Sequence, residues 1–206
     1  MKVIGIIGGI ASGKDTVAKI FESLKITVFD ADRIVHKIFK DDQQAIFEIA
    51  KQFPLSYENG VINRKILGDL ILADPQNLKI IEQIIHPIVR NNYQQFINIS
   101  KENNEKLVVL NIPLLLENNH YKFDKLIAII ADEKTCLKRY LLRLGYDSSN
   151  LKDPQIFNLI KKFELLRSKQ ITDQQRIKLA DYIVENNSDI ANLKSKIIEI
   201  FNVISS

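Results

Sequence analysis

The sequence predicts an α/β fold in which helices cover both faces of a parallel sheet. Short runs of β-branched and other apolar residues recur along the chain, and they are continuous, as in strands buried on both faces. Apolar residues in the segments between these runs recur at helical spacing. Glycines gather directly after the first run, where a strand would turn into a helix. Together these features indicate strands and helices that alternate around one sheet.

The first predicted strand covers residues 2–7, and apolar residues at helical spacing begin after Thr16. Residues 26–29 predict a second short buried strand. Residues 31 to 100 then show helical periodicity almost throughout, which indicates a helical insertion. Within it, Pro87 is expected to end or kink a helix near His86, because proline lacks a backbone N–H and restricts the residue before it.

Three later strands are predicted at residues 107–112, 126–131 and 181–185, the last of them before an amphipathic helix. A polar, turn-forming stretch at residues 145–153 separates two helical patterns, and we interpret this region as a candidate lid. The whole is expected to be one domain with inserted segments, because 206 residues can still surround a single core.

The composition bounds the class of protein. Hydrophobic residues make up 46% of the chain and charged residues 26%, which excludes a disordered protein. The net charge of +4 suits an anionic ligand but is too small to indicate a nucleic-acid partner. One cysteine, Cys136, excludes an intrachain disulfide and suits a reducing compartment. Without a long apolar run or a signal segment, we expect a cytoplasmic protein with no membrane partner.

The segment GGIASGK, from Gly8 to Lys14, has the spacing of a phosphate-binding loop and lies between a predicted strand and a predicted helix. Such a loop turns backbone N–H groups inward, and with the positive helix end they hold nucleotide phosphates. Lys14 can reach the β- and γ-phosphates and offset the charge that develops during phosphoryl transfer. We therefore expect nucleotide contacts from Gly9, Ile10, Ala11, Ser12, Gly13, Lys14, Asp15 and Thr16.

The residue after Lys14 departs from the usual pattern, because Asp15 stands where Ser or Thr normally gives its hydroxyl to Mg²⁺. A carboxylate is a hard oxygen ligand, so Asp15 is our candidate Mg²⁺ ligand, although it adds a negative charge near the phosphates. Thr16 remains available for a hydroxyl contact. We expect magnesium dependence to persist in Asp15→Ser.

Two carboxylates, Asp30 and Asp32, follow the second predicted strand, at the sheet edge where α/β folds bind ligands. A kinase that acts on a hydroxyl can use one carboxylate to orient that hydroxyl and accept its proton. We assign this role to Asp32 and a binding role to Asp30. The alternative is that these acids cap the following helix, since Asp is a favoured N-cap residue.

Six segments together resemble the dephospho-CoA kinase family: GGIASGKDT (8–16), FDAD (29–32), HP (86–87), IPLLLE (112–117), LKRYLLR (137–143) and QITDQQRIKLADYIVEN (170–186). The resemblance implies a P-loop kinase fold with a helical acceptor-binding insertion and a lid. It also implies transfer of the ATP γ-phosphate to the ribose 3′-hydroxyl of dephospho-CoA, with ATP as co-substrate and Mg²⁺ as cofactor. The implied division is a core of about 1–30, 105–135 and 171–206, an acceptor region of about 31–104 and a lid of about 136–170.

By the same resemblance, Asp32 matches the catalytic base, while Arg139 and Arg143 match lid arginines that approach the transferring phosphoryl group. These two arginines are four residues apart and so share one helix face, although a solvated basic face is the alternative. The resemblance further implies acceptor binding by Arg64, His86, Leu115 and Glu117, and we expect an adenine contact from Asn186. The alternative for Arg64 and His86 is a structural role, and the alternative for Glu117 is to compensate for the acid absent at Asn111. Asn111 is a departure, because many relatives carry Asp before IPLLLE.

Other functions remain open at this point. Another small-molecule P-loop kinase, such as a nucleoside monophosphate kinase, would share the loop and the lid but not FDAD, HP and IPLLLE together. A nucleotide-dependent switch protein is a further alternative, although no guanine-reading NKxD segment is evident. The small net charge disfavours a nucleic-acid-dependent ATPase. We expect a monomer that acts on a small-molecule substrate, with an oligomer as the alternative.

Overall fold

The computed structural model describes residues 1–113, 115–117, 120–147 and 154–205. Their Cα positions divide into two compact units. The first unit contains residues 1–29 and 104–206, and the second contains residues 30–103. Among the described residues, no helix combines the length and the apolar composition needed to span a bilayer.

The strands in chain order are β1 (Lys2–Gly8), β2 (Thr27–Asp30), β3 (Tyr57–Glu58), β4 (Val61–Ile62), β5 (Leu107–Asn111), β6 (Lys125–Ile130) and β7 (Tyr182–Glu185). The helices are α1 (Lys14–Ser23), α2 (Ala31–Asp41), α3 (Gln43–Gln52), α4 (Arg64–Ala73), α5 (Gln76–Glu102), α6 (Glu133–Arg143), α7 (Pro154–Ser168), α8 (Asp173–Leu179) and α9 (Ile190–Ser205). Short 3₁₀ turns cover Pro54–Ser56 and Leu115–Glu117.

The sheet of the first unit has the strand order β2-β5-β1-β6-β7. β1 pairs in parallel with β5 and β6, and β6 pairs in parallel with β7. In this register Gly5 of β1 lies opposite Leu110 on one side and Leu126 on the other. The predicted parallel sheet is thus confirmed. Because parallel strands end at the same edge, the loops that follow β1, β5 and β6 meet there.

The core of the first unit lies between the sheet and two helices. Ile4, Ile6, Ile127 and Ile129 of the central strands are inaccessible to solvent, as the continuous apolar runs predict. Side chains of α1 and α9 pack against them, among them Val17, Phe21, Leu193 and Ile197. Burial of each such side chain contributes about 1.5–3 kcal/mol, so this packing holds α1 and α9 against the sheet.

The second unit is a helical cluster with one short hairpin. Asn59 and Gly60 form the turn between β3 and β4, and both have positive φ (49° and 87°). Asn-Gly is the pair that two-residue hairpins favour, because both central residues need positive φ. The region around this turn was expected only to break the helical pattern, and these two short strands were not predicted.

Pro87 does not end α5, which runs without interruption from Gln76 to Glu102. The expected helix end near His86 is therefore wrong, while the alternative expectation of a kink there stays a prediction. The reason is the buried stripe of α5, whose side chains lie on both sides of the proline: Ile81, Ile85, Val89, Tyr93 and Ile97. Their packing offsets the one backbone hydrogen bond that proline removes.

Candidate active site

The loop between β1 and α1 forms a concave turn. Ala11 and Gly13 both have positive φ (57° and 104°), and the Ser12 N–H donates to the Gly9 carbonyl across the turn at 3.1 Å. Alternation of left-handed residues with ordinary ones turns successive N–H groups to one side, which makes an anion-binding concavity. The structure therefore has the backbone form of the predicted phosphate loop.

The backbone N–H groups in the first turn of α1 are available to bind a ligand. Gly13 is its N-cap, and no side chain of the described residues caps the helix there. In contrast, side chains cap α2, α3, α4, α6 and α8. Uncapped N–H groups at the positive helix end favour an anion such as a nucleotide phosphate.

Other atoms lie so close to the loop glycines that an added Cβ would meet them. A Cβ on Gly13 would meet the Nδ2 atom of Asn186, and its positive φ alone disfavours any side chain. A Cβ on Gly9 would lie 3.2 Å from Nη1 of Arg176, and a Cβ on Gly8 would lie 2.9 Å from the Ile129 carbonyl oxygen. The loop can thus approach its supports only because these positions lack side chains.

Distant side chains hold the loop in place. The Ile10 N–H donates to Oε1 of Gln170 at 3.0 Å. The Ser12 carbonyl accepts from Nδ2 of Asn186 at 2.7 Å and from Nη1 of Arg139 at 3.4 Å. Arg139 also donates to the Asn186 carbonyl at 2.9 Å. The loop geometry therefore depends on residues from the last third of the chain.

The Ser12 hydroxyl lies at the base of the loop. Ser12 is only 2% exposed, and its Oγ atom has no hydrogen-bond partner among the described residues. A buried donor without a partner is uncommon and is usually satisfied by a water or a ligand atom. The glycine cradle, the uncapped helix and this hydroxyl all fit an anionic ligand.

Charged side chains gather at the other end of the loop. Nζ of Lys14 donates to Oδ1 of Asn111 and lies 3.8 Å from Oδ1 of Asp15. Nη2 of Arg143 lies 3.9 Å from Oδ2 of the same carboxylate. Asp15 is 49% exposed in its side chain, so these ion pairs are partly screened by solvent.

An apolar cluster backs the loop. Ala11 packs with Ala131, Cys136 and Phe163, and Tyr140 lies against them with its ring centroid 5.4 Å from that of Phe163. Burial raises the pKa of the Cys136 thiol and the pKa of the Tyr140 phenol. Both groups therefore stay neutral near pH 7, and the cluster has a packing role.

The structure adds three residues to which the sequence assigned no role. Arg176, 6% exposed, donates to Oδ1 of Asp173 at 2.6 Å and to Oε1 of Gln170 at 3.5 Å. This network orients the Gln170 amide that binds the loop. The Thr172-x-x-Gln175 spacing predicts the capping box that the structure contains at the start of α8, but it gives no signal for the contact of Gln170 with the loop.

Of the predicted acceptor-side residues of the second unit, Asp32, Arg64 and His86 are exposed, whereas the Asp30 side chain is only 11% exposed. Asp30 caps α2 by accepting from the Arg33 N–H at 3.0 Å, so the capping interpretation of Asp30 is confirmed. Asp32 is exposed in the first turn of α2, and Arg64 opens α4. His86 is exposed on α5. The predicted binding and catalytic roles of these residues stay predictions.

The remaining predicted residues lie in the first unit. Leu115 is buried and packs where a Cβ on Gly5 would lie, 2.6 Å from its Cδ2 atom. Glu117 ends a 3₁₀ turn, and its side chain lies outside the described part of the chain. The predicted adenine contact of Asn186 stays a prediction, as do the roles of Leu115 and Glu117. Residues 148–153 of the predicted lid also lie outside the described residues.

Known proteins resemble the chain over most of its length. The model of the dephospho-CoA kinase family matches residues 2–192. A dephospho-CoA kinase from Bartonella henselae is 34% identical over 96% of this chain and 95% of its own. The one from Bartonella quintana is 33% identical over 97% of this chain and 96% of its own.

Two solved structures share the fold. TT1252 from Thermus thermophilus is 23% identical with a TM-score of 0.77, and a dephospho-CoA kinase from Campylobacter jejuni is 24% identical with a TM-score of 0.68. In both cases the match covers 100% of this chain and 98% of the other. The predicted P-loop kinase fold is thus confirmed. With the family match and the loop geometry above, the chain belongs to the dephospho-CoA kinase family and is an enzyme of the kinase class.

Proposed function

We propose that this protein transfers the γ-phosphate of ATP to the ribose 3′-hydroxyl of dephospho-CoA, which gives CoA and ADP. The observation that carries the proposal is the uncapped start of α1 behind a glycine loop, in a chain that matches the family over residues 2–192. The loop supplies phosphate binding, and family membership supplies the acceptor.

The nucleotide-binding role falls to residues 9–16. Their N–H groups are proposed to hold the β-phosphate, while the Lys14 ammonium offsets the charge that builds on the β- and γ-phosphates during transfer. Arg139 and Arg143 lie beside the loop, and we assign them the stabilisation of the same charge. Asn186 is proposed to contact the adenine near its position under Ser12.

The acceptor is activated by a carboxylate in this proposal. Asp32 accepts the proton of the ribose 3′-hydroxyl. The oxygen of that hydroxyl attacks the γ-phosphorus, and the bond between the γ-phosphorus and the β–γ bridging oxygen breaks to release ADP. Exposure of Asp32 supports this role, since a base must be reachable by substrate. Binding of the acceptor is assigned to Asp30, Arg64, His86, Leu115 and Glu117.

The residues beside the loop fit Mg²⁺. Asp15 offers a carboxylate and Thr16 a hydroxyl, and Mg²⁺ prefers such hard oxygen donors. Nδ2 of Asn111 donates to Oδ1 of Asp15 at 3.4 Å and so orients that carboxylate. No group of three or more His, Cys, Asp or Glu among the described residues is arranged to hold a metal ion without a substrate. Mg²⁺ bound with the nucleotide would neutralise phosphate charge.

The division of the chain into a core, an acceptor region and a lid, with the boundaries given above, is part of the same proposal. So are the cytoplasmic location and the monomeric state. No specific observation favours a second function over this one.

Acceptor specificity is the direct test. ADP release would be measured with ATP, Mg²⁺ and either dephospho-CoA, adenosine or a panel of nucleoside monophosphates. We expect fast turnover with dephospho-CoA alone, and mass spectrometry of the product should show one added phosphate on the ribose. Faster turnover of a nucleoside monophosphate would replace the proposed acceptor, and ATP hydrolysis that no acceptor stimulates would indicate a switch protein.

A further inference from the structure

Two positions of the loop region depart from general P-loop chemistry: one carries a negative charge where a neutral group is usual, and the other is neutral where a negative charge is usual. P-loop enzymes hold Mg²⁺ with a Ser or Thr hydroxyl after the loop lysine and with an Asp carboxylate from a neighbouring strand. This chain has the carboxylate of Asp15 after Lys14, and the neutral amide of Asn111 at the end of β5. Each departure alone would change the charge of the site, but together they leave one carboxylate in it.

The two side chains touch each other. β5 lies beside β1, with Asn111 opposite Ile6, so Asn111 ends at the sheet edge from which the loop rises. Nδ2 of Asn111 lies 3.4 Å from Oδ1 of Asp15, and Oδ1 of Asn111 accepts from Nζ of Lys14. Asn111 is 1% exposed, so its amide is held in one orientation between a cation and an anion.

The contact explains why the two departures occur together. An Asp at position 111 would bring a buried carboxylate within about 3.4 Å of the half-exposed carboxylate of Asp15, and like charges this close repel each other. The Asn111 amide avoids this, because its N–H faces Asp15 and its oxygen faces Lys14. Lys14 and Arg143 then offset the charge of Asp15.

We propose that Asp15 and Asn111 are an exchanged pair, in which the start of α1 supplies the carboxylate toward the Mg²⁺–nucleotide complex and the end of β5 supplies the neutral partner. Asp15 is thus the anionic ligand or water-holding group, and Asn111 is the positioning residue that orients it. This inference rests on the nucleotide-binding part of the proposed function and is independent of the acceptor.

The exchange predicts that Asp15→Asn changes ADP affinity in opposite directions without and with Mg²⁺. Without Mg²⁺, the Asp15 carboxylate repels the nucleotide phosphates, so Asp15→Asn should bind ADP more tightly than the wild-type protein. With Mg²⁺ the same substitution should weaken ADP binding about tenfold, the size typical of a lost metal-orienting group. Magnesium dependence persists, but a higher concentration is needed.

A double-mutant cycle tests the pair. ADP binding is measured by calorimetry, with and without MgCl₂, for the wild type, Asp15→Ser, Asn111→Asp and the double variant. The strengthening of ADP binding by Mg²⁺ should fall about tenfold in Asp15→Ser and return to within about threefold of the wild type in the double variant. Asn111→Asp alone should lower both the melting temperature and the Mg²⁺-free affinity for ADP.

The exchange would be overturned if the double variant kept the roughly tenfold loss of Mg²⁺ strengthening expected for Asp15→Ser. Thermal unfolding checks that each variant folds, and if the double variant does not, the sign change in Asp15→Asn still decides. Equal effects in Glu199→Ser, which removes an exposed carboxylate on α9, would also overturn it, because the effect would then be one of net charge. If the four proteins gave the expected ADP-binding changes but the wild type did not phosphorylate dephospho-CoA, the proposed acceptor would be rejected and the exchanged pair would stand.

Discussion

The nucleotide loop and the proposed acceptor residues are held in different ways. The loop in the first unit has its shape fixed by distant side chains, among them Gln170 and Asn186. In the second unit, Asp30 makes a contact within its own helix start, and Asp32 and His86 are exposed on helices. Substitutions around the loop should therefore act through backbone shape. Substitutions of the acceptor residues should act through the chemistry of one side chain.

The largest effect is expected at Asp32. Removal of a general base slows the chemical step by about 10²–10⁴-fold, so Asp32→Asn should lose kcat by that factor while ADP affinity and melting temperature stay unchanged. Steady-state kinetics and calorimetry measure the two. Asp41→Asn, another exposed acid on α2, is the matched control and should keep full activity. Loss of ADP binding in Asp32→Asn would contradict the assignment of Asp32 to the acceptor side, because Asp32 would then also contribute to nucleotide binding.

A substitution of Gly13 breaks the loop without any change of chemistry. In Gly13→Ala, the new Cβ meets Nδ2 of Asn186 and the backbone keeps a positive φ, so the loop must shift. A misplacement of this kind can lower kcat/KM for ATP about 100-fold. Gly60→Ala has a similar positive φ (87°) with open space around it, and should lose stability but keep ATP kinetics. If both variants lost ATP binding equally, backbone strain alone would explain the result.

The hydrogen bond from Asn186 can be removed without strain. Asn186→Ala leaves the Ser12 carbonyl without its 2.7 Å partner in a buried place, which should cost about 1–3 kcal/mol of unfolding free energy. KM for ATP should rise more than KM for dephospho-CoA. Asn91→Ala, at an exposed position of α5, should change stability by less than about 0.7 kcal/mol and leave both KM values alone. Equal rises in both KM values would contradict a loop-specific role.

The smallest effect is expected where Lys125 opens β6, far along the strands from the loop. Asp181 accepts from Nζ of Lys125 at 2.7 Å and from the Leu126 N–H at 2.8 Å, and the first of these bonds lowers the pKa of Asp181. Asp181→Ala should therefore cost about 1 kcal/mol above pH 4, where the unfolded carboxyl is ionised.

The pH dependence of that cost has a definite sign. Because the folded pKa is depressed, the stabilisation by Asp181 is lost as the pH falls through the folded value, and the wild type and the variant should then converge. Denaturant unfolding between pH 3 and 7 measures this, and ADP affinity at pH 7 should not change. A difference in stability that persisted in acid would contradict the assigned cause.

Much of the nucleotide side could be predicted from the sequence, because its signals are local. Glycines between a buried strand and a helix determine the loop, and the apolar runs determine the strands. Gln170 was missed because its contact with Ile10 joins positions 160 residues apart, and no local pattern encodes that pairing. Arg176 was missed with it, because Arg176 acts on the loop by holding Gln170. The predicted helix end at Pro87 failed for a related reason. Local proline chemistry disfavours a helix, whereas the buried stripe of α5 stabilises the helix through packing.

The path of the chain through the nucleotide loop has a consequence for biosynthesis. Gln170 and Asn186 follow the loop atoms that they bind by 160 and 174 residues. A ribosome therefore adds the glycine motif to the chain long before it adds Gln170 and Asn186, which support the loop. A chain that stops before Gln170 has the motif without these hydrogen bonds, so a bound nucleotide can stabilise the supported loop only after Asn186 has been added.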